Sequence, residues 1–223
     1  MSPTNRNTLG LRGNTRLAGY AALAGAALAV PAVADAAIIY SGPVVILIPV
    51  TTSGIYLNVV TNVSNISPGS APGWDINPWE SSTLGWFNPA APAGGVYVTG
   101  LGSSTTLVDN LGLGALVSAA SVFGSGVSET TGATAFNLNS DNNWVGFRFQ
   151  NEAAGNATQY GWVQIHIGAS LIDPARAIIG YAYDNSGAGI NTGAVPEPST
   201  FALLGVMAAG ALGVREWRKR KAA

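Results

Sequence analysis

The run 160–167 alternates two kinds of side chain, and this alternation constrains the fold more than any other feature of the sequence. Successive side chains of an extended strand point to opposite faces of a sheet. One face of this run would carry Gly161, Val163, Ile165 and Ile167, and the other would carry Tyr160, Trp162, Gln164 and His166. The pattern predicts a strand with a core on one side and a partly solvated surface on the other.

Other runs have the same β character. They are rich in β-branched and aromatic residues, which favour strands, and they cover residues 44–48, 55–60, 96–99, 144–150 and 177–183. The turn-like composition of residues 51–54 predicts a hairpin between 44–48 and 55–60. No long helical period appears between residues 37 and 194. We predict an all-β body, an antiparallel β-sandwich or jelly roll of roughly eight to ten strands.

The first 36 residues have the composition of a secretory signal peptide. Arg6, Arg12 and Arg16 form a basic leader before the apolar run 17–30, and small residues at alternate positions follow. Cleavage after Ala36 is favoured over cleavage after Ala34, and a non-cleaved N-terminal anchor is the alternative. The arginines are not adjacent, so the Sec machinery rather than a twin-arginine route is the expected export partner. A signal helix would thus precede the body, residues 37–194.

The C-terminal segment, residues 195–223, combines a rigid turn, an apolar run and a basic cluster. Pro196, Glu197 and Pro198 come first, and the fourteen residues 201–214 carry no charge. Five basic side chains follow: Arg215, Arg218, Lys219, Arg220 and Lys221. A helix of this length reaches roughly 21 Å, short of the ~30 Å hydrocarbon core. Because the run has no polar face and basic residues resist translocation, we predict a membrane-associated sorting segment rather than an ordinary C-terminal helix.

This ending resembles the PEP-CTERM protein-sorting signal of Gram-negative bacteria, with Pro196-Glu197-Pro198 as the motif. The resemblance covers about an eighth of the chain. It implies an exosortase-like partner, a membrane-embedded transpeptidase with a Cys nucleophile that cuts near the motif. It also implies transient anchoring in the inner membrane through a C-terminal apolar helix, then delivery to the cell surface or the extracellular matrix, with exopolysaccharide as a further partner.

A second resemblance concerns the last three predicted strands. The segments 144–149, 160–164 and 180–184 are similar to a strand triplet near the C-terminus of many exported PEP-CTERM proteins. Aromatic and β-branched residues opposed across neighbouring strands stabilise such a sheet. Within it, Arg148 is expected to find a carboxylate such as Glu152 or Asp184.

Charge and cysteine content exclude several functions of the body. Residues 37–194 carry Arg148 and Arg176 and no lysine, against eight carboxylates, which gives a net charge of −6. Such a body repels phosphate backbones, so no nucleic-acid partner is expected. The chain has no cysteine, which excludes disulfides, thiolate catalysis and Cys-type zinc sites.

Little in the sequence points to catalysis or metal binding. His166 is the single histidine, and no Gly-x-Ser-x-Gly elbow is present. We interpret His166 as a satisfied strand residue, and one histidine excludes a multi-His zinc site. We therefore predict no enzyme activity, no catalytic residue, no metal site and no cofactor.

Residues 67–95 are the candidate ligand-binding segment. Five prolines and several bulky aromatic residues predict a long proline-punctuated loop. Two interpretations remain open: the tryptophans pack back over the sheet as a lid, or exposed tryptophan faces beside carboxylates stack on and hydrogen-bond a sugar. On the second interpretation the body is a carbohydrate-binding module, or a glycoside hydrolase with Asp75 and Glu80 as its carboxylate pair. The candidate residues are Trp74, Asp75, Trp79, Glu80 and Trp86.

Overall fold

The computed structural model describes residues 37–101 and 104–196, and this part of the chain is all-β with antiparallel strand pairs. The predicted signal helix and C-terminal apolar helix lie outside the described residues. The strands are β1 (Ile38–Tyr40), β2 (Ile46–Leu47), β3 (Tyr56–Asn58), β4 (Val63–Asn65), β5 (Asn77–Trp79), β6 (Gly85–Phe87), β7 (Tyr97–Val98), β8 (Leu116–Val117), β9 (Phe123–Gly124), β10 (Gly126–Val127), β11 (Trp144–Asn151), β12 (Ala157–His166), β13 (Ala177–Asp184) and β14 (Ile190–Asn191). Two 3₁₀ turns, Pro68–Ser70 and Glu152–Ala154, are the only helical residues of this part.

A seven-stranded sheet forms the centre of the described fold. Its order is β1-β13-β12-β11-β7-β9, with β2 also beside β13. The longest strands, β11, β12 and β13, are consecutive neighbours, and β11 pairs with β12 from Trp144↔Gln164 to Asn151↔Ala157. The strands predicted at 144–150, 160–167 and 177–183 are therefore confirmed. Their ends agree within one residue, except that β12 begins three residues earlier than predicted.

One edge of this sheet is interrupted. Both β1 and β2 pair with β13, at Ile38↔Asp184 and at Leu47↔Ala177 respectively. Between them the chain leaves the edge at Gly42, whose φ of +73° belongs to the left-handed region that glycine tolerates. The opposite edge is the two-residue strand β9.

The predicted hairpin between 44–48 and 55–60 is wrong. β2 pairs with β13, whereas β3 pairs with β4. Asparagine residues suit the turn between β3 and β4. Asn62 has a φ of +59°, and the Asn58 side chain accepts hydrogen bonds from the turn amides Val60 N and Thr61 N. Long-range pairing with an eight-residue strand has prevailed over the local turn composition.

The predicted number of strands is too low for this part of the chain. Fourteen strands are present, and eleven of them contain two or three residues. Such short strands lie in Gly- and Pro-rich stretches, and two or three residues are too few to show an alternation of apolar and polar side chains. A strand can be predicted from hydrophobic periodicity only when the pattern extends over four or more residues.

Both faces of the central sheet are buried. On the first face Gly161, Val163, Ile165 and Ile167 lie in the larger core, as their spacing predicts. On the second face Tyr160 and Trp162 belong to a smaller core with Trp144, Val117 of β8 and Ile190 of β14. At the far end of that face, Gln164 and His166 are half-buried. The second face is thus less solvated than the sequence suggests, because β8 and β14 cover it.

Residues 67–95 form more regular structure than the predicted loop. β5 and β6 pair from Asn77↔Phe87 to Trp79↔Gly85, and β6 also pairs with β10. Pro78 is compatible with β5, since this is an outer strand of the three-stranded sheet. The side chain of Tyr97 links the central sheet to the β5–β6 hairpin. Its hydroxyl accepts a hydrogen bond from Asn77 N at 2.8 Å and donates one to Phe87 O at 3.0 Å.

Candidate functional site

The structure distributes the five candidate residues of segment 67–95 over three environments. Trp74 and Asp75 line a cleft of about 410 Å³. Trp79 and Phe87 line a smaller pocket of about 130 Å³. Glu80 and Trp86 line neither of these two.

We call the larger of the two the Trp74 cleft. It is formed by three chain segments that are distant in sequence. Its lining residues are Gly73, Trp74, Asp75, Pro89, Ala90, Ala91, Gln150, Glu152 and Asn156.

Asp75 is the most deeply buried of the polar residues of the cleft. It is 3% exposed, and its Oδ2 accepts a hydrogen bond from Val59 N at 2.8 Å. Burial raises the pKa of Asp75 to about 7; the Val59 hydrogen bond opposes this shift, and the charge of Glu152 adds to it. At neutral pH this carboxyl is therefore divided between its acidic and ionised forms.

Backbone contacts with β3 fix the position of Asp75. The amides of Asp75 and Ile76 both donate to Leu57 O, at 2.9 and 3.2 Å. The Asn58 side chain donates to Pro72 O and Gly73 O, at 2.9 and 2.8 Å. Glycine suits position 73 because its φ of +66° lies in the left-handed region, where a side chain causes strain.

The opposite wall of the cleft comes from the connection between β11 and β12. Gln150 lies near the end of β11, Glu152 opens the 3₁₀ turn, and Asn156 precedes β12 with a φ of +63°. The sequence predicts no site at these residues. The residues lie more than seventy positions from Trp74, and only the pairing of the sheets brings them to it, so no local pattern signals them.

An aromatic cluster supports Trp74. Its ring meets Tyr56 edge-on, with centroids 5.0 Å apart, and stacks against Phe87 at 6.2 Å. Phe87, which is 53% exposed, also contacts Trp79 at 6.2 Å. The side chains of Trp74 and Trp79 thus flank one exposed phenylalanine, and each lines a different pocket.

The side chains of Glu80 and Trp86 form hydrogen bonds within the protein. The Glu80 carboxylate accepts a hydrogen bond from Ser82 Oγ at 3.1 Å, and the residue has a φ of +86°. Trp86 is 2% exposed, and its indole N–H donates to Ser128 Oγ at 2.8 Å. Asp75 and Glu80 therefore do not face each other across either of the two pockets.

The two arginines of the body bind backbone carbonyls. Arg176 is fully buried, and its guanidinium donates five hydrogen bonds of 2.7–3.1 Å to the carbonyls of residues 48, 49, 80, 83 and 171. Arg148 donates to Gly95 O and Ala93 O, both at 2.9 Å, and lies 4.6 Å from the centroid of the Phe123 ring. The expected pairing of Arg148 with Glu152 or Asp184 is therefore wrong, since the neighbouring β7 segment offers carbonyls at closer reach.

His166 has one polar partner in the described structure. Its Nδ1 lies 2.5 Å from Asp141 Oδ1, and both side chains are partly exposed. No serine hydroxyl hydrogen-bonds to this histidine within residues 37–101 and 104–196. The pair lies at the solvated end of the second face of the sheet.

Two negative findings apply to the same residues. No group of three or more His, Cys, Asp or Glu side chains among them could hold a metal ion. No helix among them is both long enough and apolar enough to cross a membrane.

The described fold ends next to the C-terminal motif. β14 pairs with β8 at Ile190↔Val117, and Trp162 Nε1 donates to Ala194 O at 3.1 Å. Val195 and Pro196 are exposed. Glu197, Pro198 and the five basic residues of the tail lie outside the described part.

Comparison with known proteins bears on this end of the chain. Residues 194–221 match the family model described as the PEP-CTERM protein-sorting motif. The match covers about an eighth of the chain. No curated protein and no solved structure was found to match the chain.

Proposed function

We propose that this PEP-CTERM protein is a sorted surface or extracellular-matrix protein whose β-sandwich body has no catalytic role. The motif at residues 194–221 marks an exported protein with a membrane-anchoring sorting signal and implies an exosortase-type processing partner. This match is the observation that carries the proposal.

The geometry at the end of the body supports processing at the motif. The last hydrogen bond that ties the described chain to its core is the one from Trp162 to Ala194. Pro196 follows two residues later and is exposed. A proline fixes its own φ, lacks an N–H and disfavours helix before it, so the motif begins in a form that an enzyme can reach.

The polar residues of the body support a non-catalytic role. Asp75 and Glu80 line no common pocket of the two described above, so the pair expected for a glycosidase is not assembled by them. His166 contacts Asp141, and no nucleophile is hydrogen-bonded to it in the described residues. On our proposal the body has a binding or structural role and catalyses no reaction.

The route and the destination are parts of the same proposal. The Sec machinery exports the chain, the C-terminal segment holds it in the inner membrane, and processing releases it to the surface or to an exopolysaccharide matrix. The net charge of −6 on residues 37–194 keeps the released body away from nucleic acids and other polyanions.

Replacement of Pro196-Glu197-Pro198 by three alanines tests the proposal in a host that contains exosortase. The variant keeps the apolar run and the basic cluster, so we expect it to stay in the membrane fraction at full length while the native protein is shortened. Intact mass and fractionation measure both properties. Shortening and release of the variant at the native rate would refute sorting by this motif.

The alternative function is a carbohydrate-binding module or a glycoside hydrolase. Between these, the Trp74 cleft favours binding, because it combines an aromatic ring with hydrogen-bonding groups, whereas the carboxylate pair Asp75 and Glu80 is divided. A glycan-binding screen of the purified protein distinguishes this alternative from a purely structural body.

A further inference from the structure

We propose that the Trp74 cleft binds a neutral pyranose unit of a glycan. The inference rests on the binding alternative above and gives it a location, in which the wall from residues 150–156 is as important as segment 67–95. It does not depend on sorting, because binding is measured on purified protein.

Polar groups without internal partners converge on the cleft. Within the described residues, no hydrogen bond reaches the Trp74 indole N–H, Asp75 Oδ1 or the side chains of Gln150, Glu152 and Asn156, although all five residues line the same space. Glu152 and Asn156 are exposed, Trp74 and Gln150 are half-buried, and Asp75 is buried. Exposed groups bond solvent, whereas a buried polar group normally has a hydrogen-bond partner. A ring of hydroxyl groups matches this mixture of donors and acceptors.

Asp75 supplies the most specific of these groups. The residue is 3% exposed and lines the cleft; its Oδ2 accepts the hydrogen bond from Val59 N, and no hydrogen bond to its Oδ1 is present within the described residues. The lining residues include no arginine or lysine that could neutralise it. Keeping a desolvated carboxyl without a cation destabilises a fold, and a ligand hydroxyl would give it the missing partner.

Trp74 supplies a rigid apolar surface. Tyr56 and Phe87 contact its ring at centroid distances of 5.0 and 6.2 Å, so the ring is held before any ligand arrives. The apolar side of a pyranose packs on such a ring, and a fixed side chain loses little conformational entropy on binding. The cleft volume of about 410 Å³ falls within the range of roughly 300–1,000 Å³ of small-molecule sites.

Charge selects a neutral sugar. Asp75 and Glu152 both line the cleft, and the body carries a net charge of −6. Phosphorylated sugars and uronic acids would meet Glu152 and the ionised form of Asp75 at short range without a compensating cation. A neutral hexose or pentose can use the same carboxylates as hydrogen-bond acceptors.

The test uses the full chain, purified in detergent, with four oligosaccharides as probes: cellohexaose, mannohexaose, xylohexaose and the anionic hexagalacturonate. Isothermal titration calorimetry should detect binding of at least one neutral hexasaccharide and weaker or no binding of hexagalacturonate. Trp74→Ala should weaken that binding by at least about tenfold, as loss of a central aromatic contact does.

Trp79→Ala is the matched control, because Trp79 also contacts Phe87 but lines the other pocket; it should leave the affinity within about twofold. Gln150→Ala and Asn156→Gly alter the far wall without removing a core contact, and each should weaken binding about threefold or more. Absence of binding to every neutral probe, tightest binding of hexagalacturonate, or equal losses in the two tryptophan variants would overturn the proposal. Export and trimming should be unchanged in all these variants, which separates this inference from the sorting function.

Discussion

Trp162 Nε1 donates a hydrogen bond to Ala194 O at 3.1 Å, and this contact sets the distance between the body and the membrane. Six residues, 195–200, separate Ala194 from the apolar run that begins at Phe201. The seven residue steps from Ala194 to Phe201, at 3.3–3.6 Å each, span about 25 Å at most. While the tail is anchored, the end of the body near β14 must therefore stay close to the lipid headgroups.

Replacing Arg218, Lys219, Arg220 and Lys221 with serine should change how the tail is retained. Basic residues after an apolar run resist translocation, so we expect the variant to pass through the membrane or to be released without processing. Protease protection and intact mass measure these outcomes. Normal retention and trimming would show that the remaining arginine, Arg215, is sufficient and would contradict the expected role of the cluster.

Residues 37–196 should fold without either terminal segment. The two described cores and the described sheets are built from residues within this range. The far-UV circular dichroism spectrum should be dominated by β structure, with a cooperative thermal transition. A helical content above about a third, the share of an ordinary globular protein, would contradict the fold.

Arg176→Met should destabilise the body strongly. The substitution keeps an apolar stem but leaves five buried carbonyls without the guanidinium, among them Ile48 O and Thr83 O. Each buried carbonyl that is left without a donor costs about 1–3 kcal/mol, so the loss over several such groups should be at least about 3 kcal/mol. Urea denaturation of residues 37–196, followed by tryptophan fluorescence, measures the change in the free energy of unfolding.

Arg148→Met is the matched control for Arg176. Arg148 also donates to backbone carbonyls, but it makes two such bonds and is partly exposed. Water can replace its guanidinium, so the free energy of unfolding should fall by about 1 kcal/mol. Similar losses in the two variants would mean that burial of the Arg176 network contributes nothing special.

Asp75 should make stability decrease as pH rises. The pKa of Asp75 is about 7 in the folded protein, against 3.8 for an unperturbed aspartate such as that of the unfolded chain. Between pH 3.8 and pH 7 the folded state therefore binds more protons than the unfolded state. Stability is then highest below about pH 4 with respect to this group and is lost as the pH approaches 7. A shift of this size corresponds to about 4 kcal/mol at most.

Asp75→Asn isolates this contribution. The amide oxygen can still accept the hydrogen bond from Val59 N, but the group no longer titrates. The difference in free energy of unfolding between the variant and the native body should grow in favour of the variant from pH 4 to pH 8. Denaturant curves at several pH values measure it, and parallel profiles for the two proteins would contradict the buried carboxyl.

The long strands could be predicted from the sequence because their environment repeats along them. In β12 the alternation of Val163 and Ile165 with Trp162 and Gln164 directly reflects two different faces. The pairing of β2 could not be predicted in this way. A turn-like segment followed it, yet hydrogen bonds such as Val44 N to Ile179 O depend on a strand more than a hundred residues away.

The candidate site was predictable only on one side. Trp74 and Asp75 could be proposed from the sequence because an aromatic ring beside a carboxylate can stack on and hydrogen-bond a sugar. Gln150 and Asn156 have no such signal, since they flank an ordinary hairpin connection. Their role follows from the register of β11 against β7, at Phe147↔Tyr97, and from the contact of Tyr97 with β5 and β6.

The interruption at Gly42 on the edge formed by β1 and β2 matters when many copies of the chain accumulate together. A long, flat outer strand would present a continuous row of free N–H and C=O groups to a strand of another molecule, which is how edge-to-edge polymers start. In the described part of the central sheet, the outer strands contain only two or three residues each. The described outer strands of the central sheet therefore offer a neighbouring copy only short templates for backbone pairing.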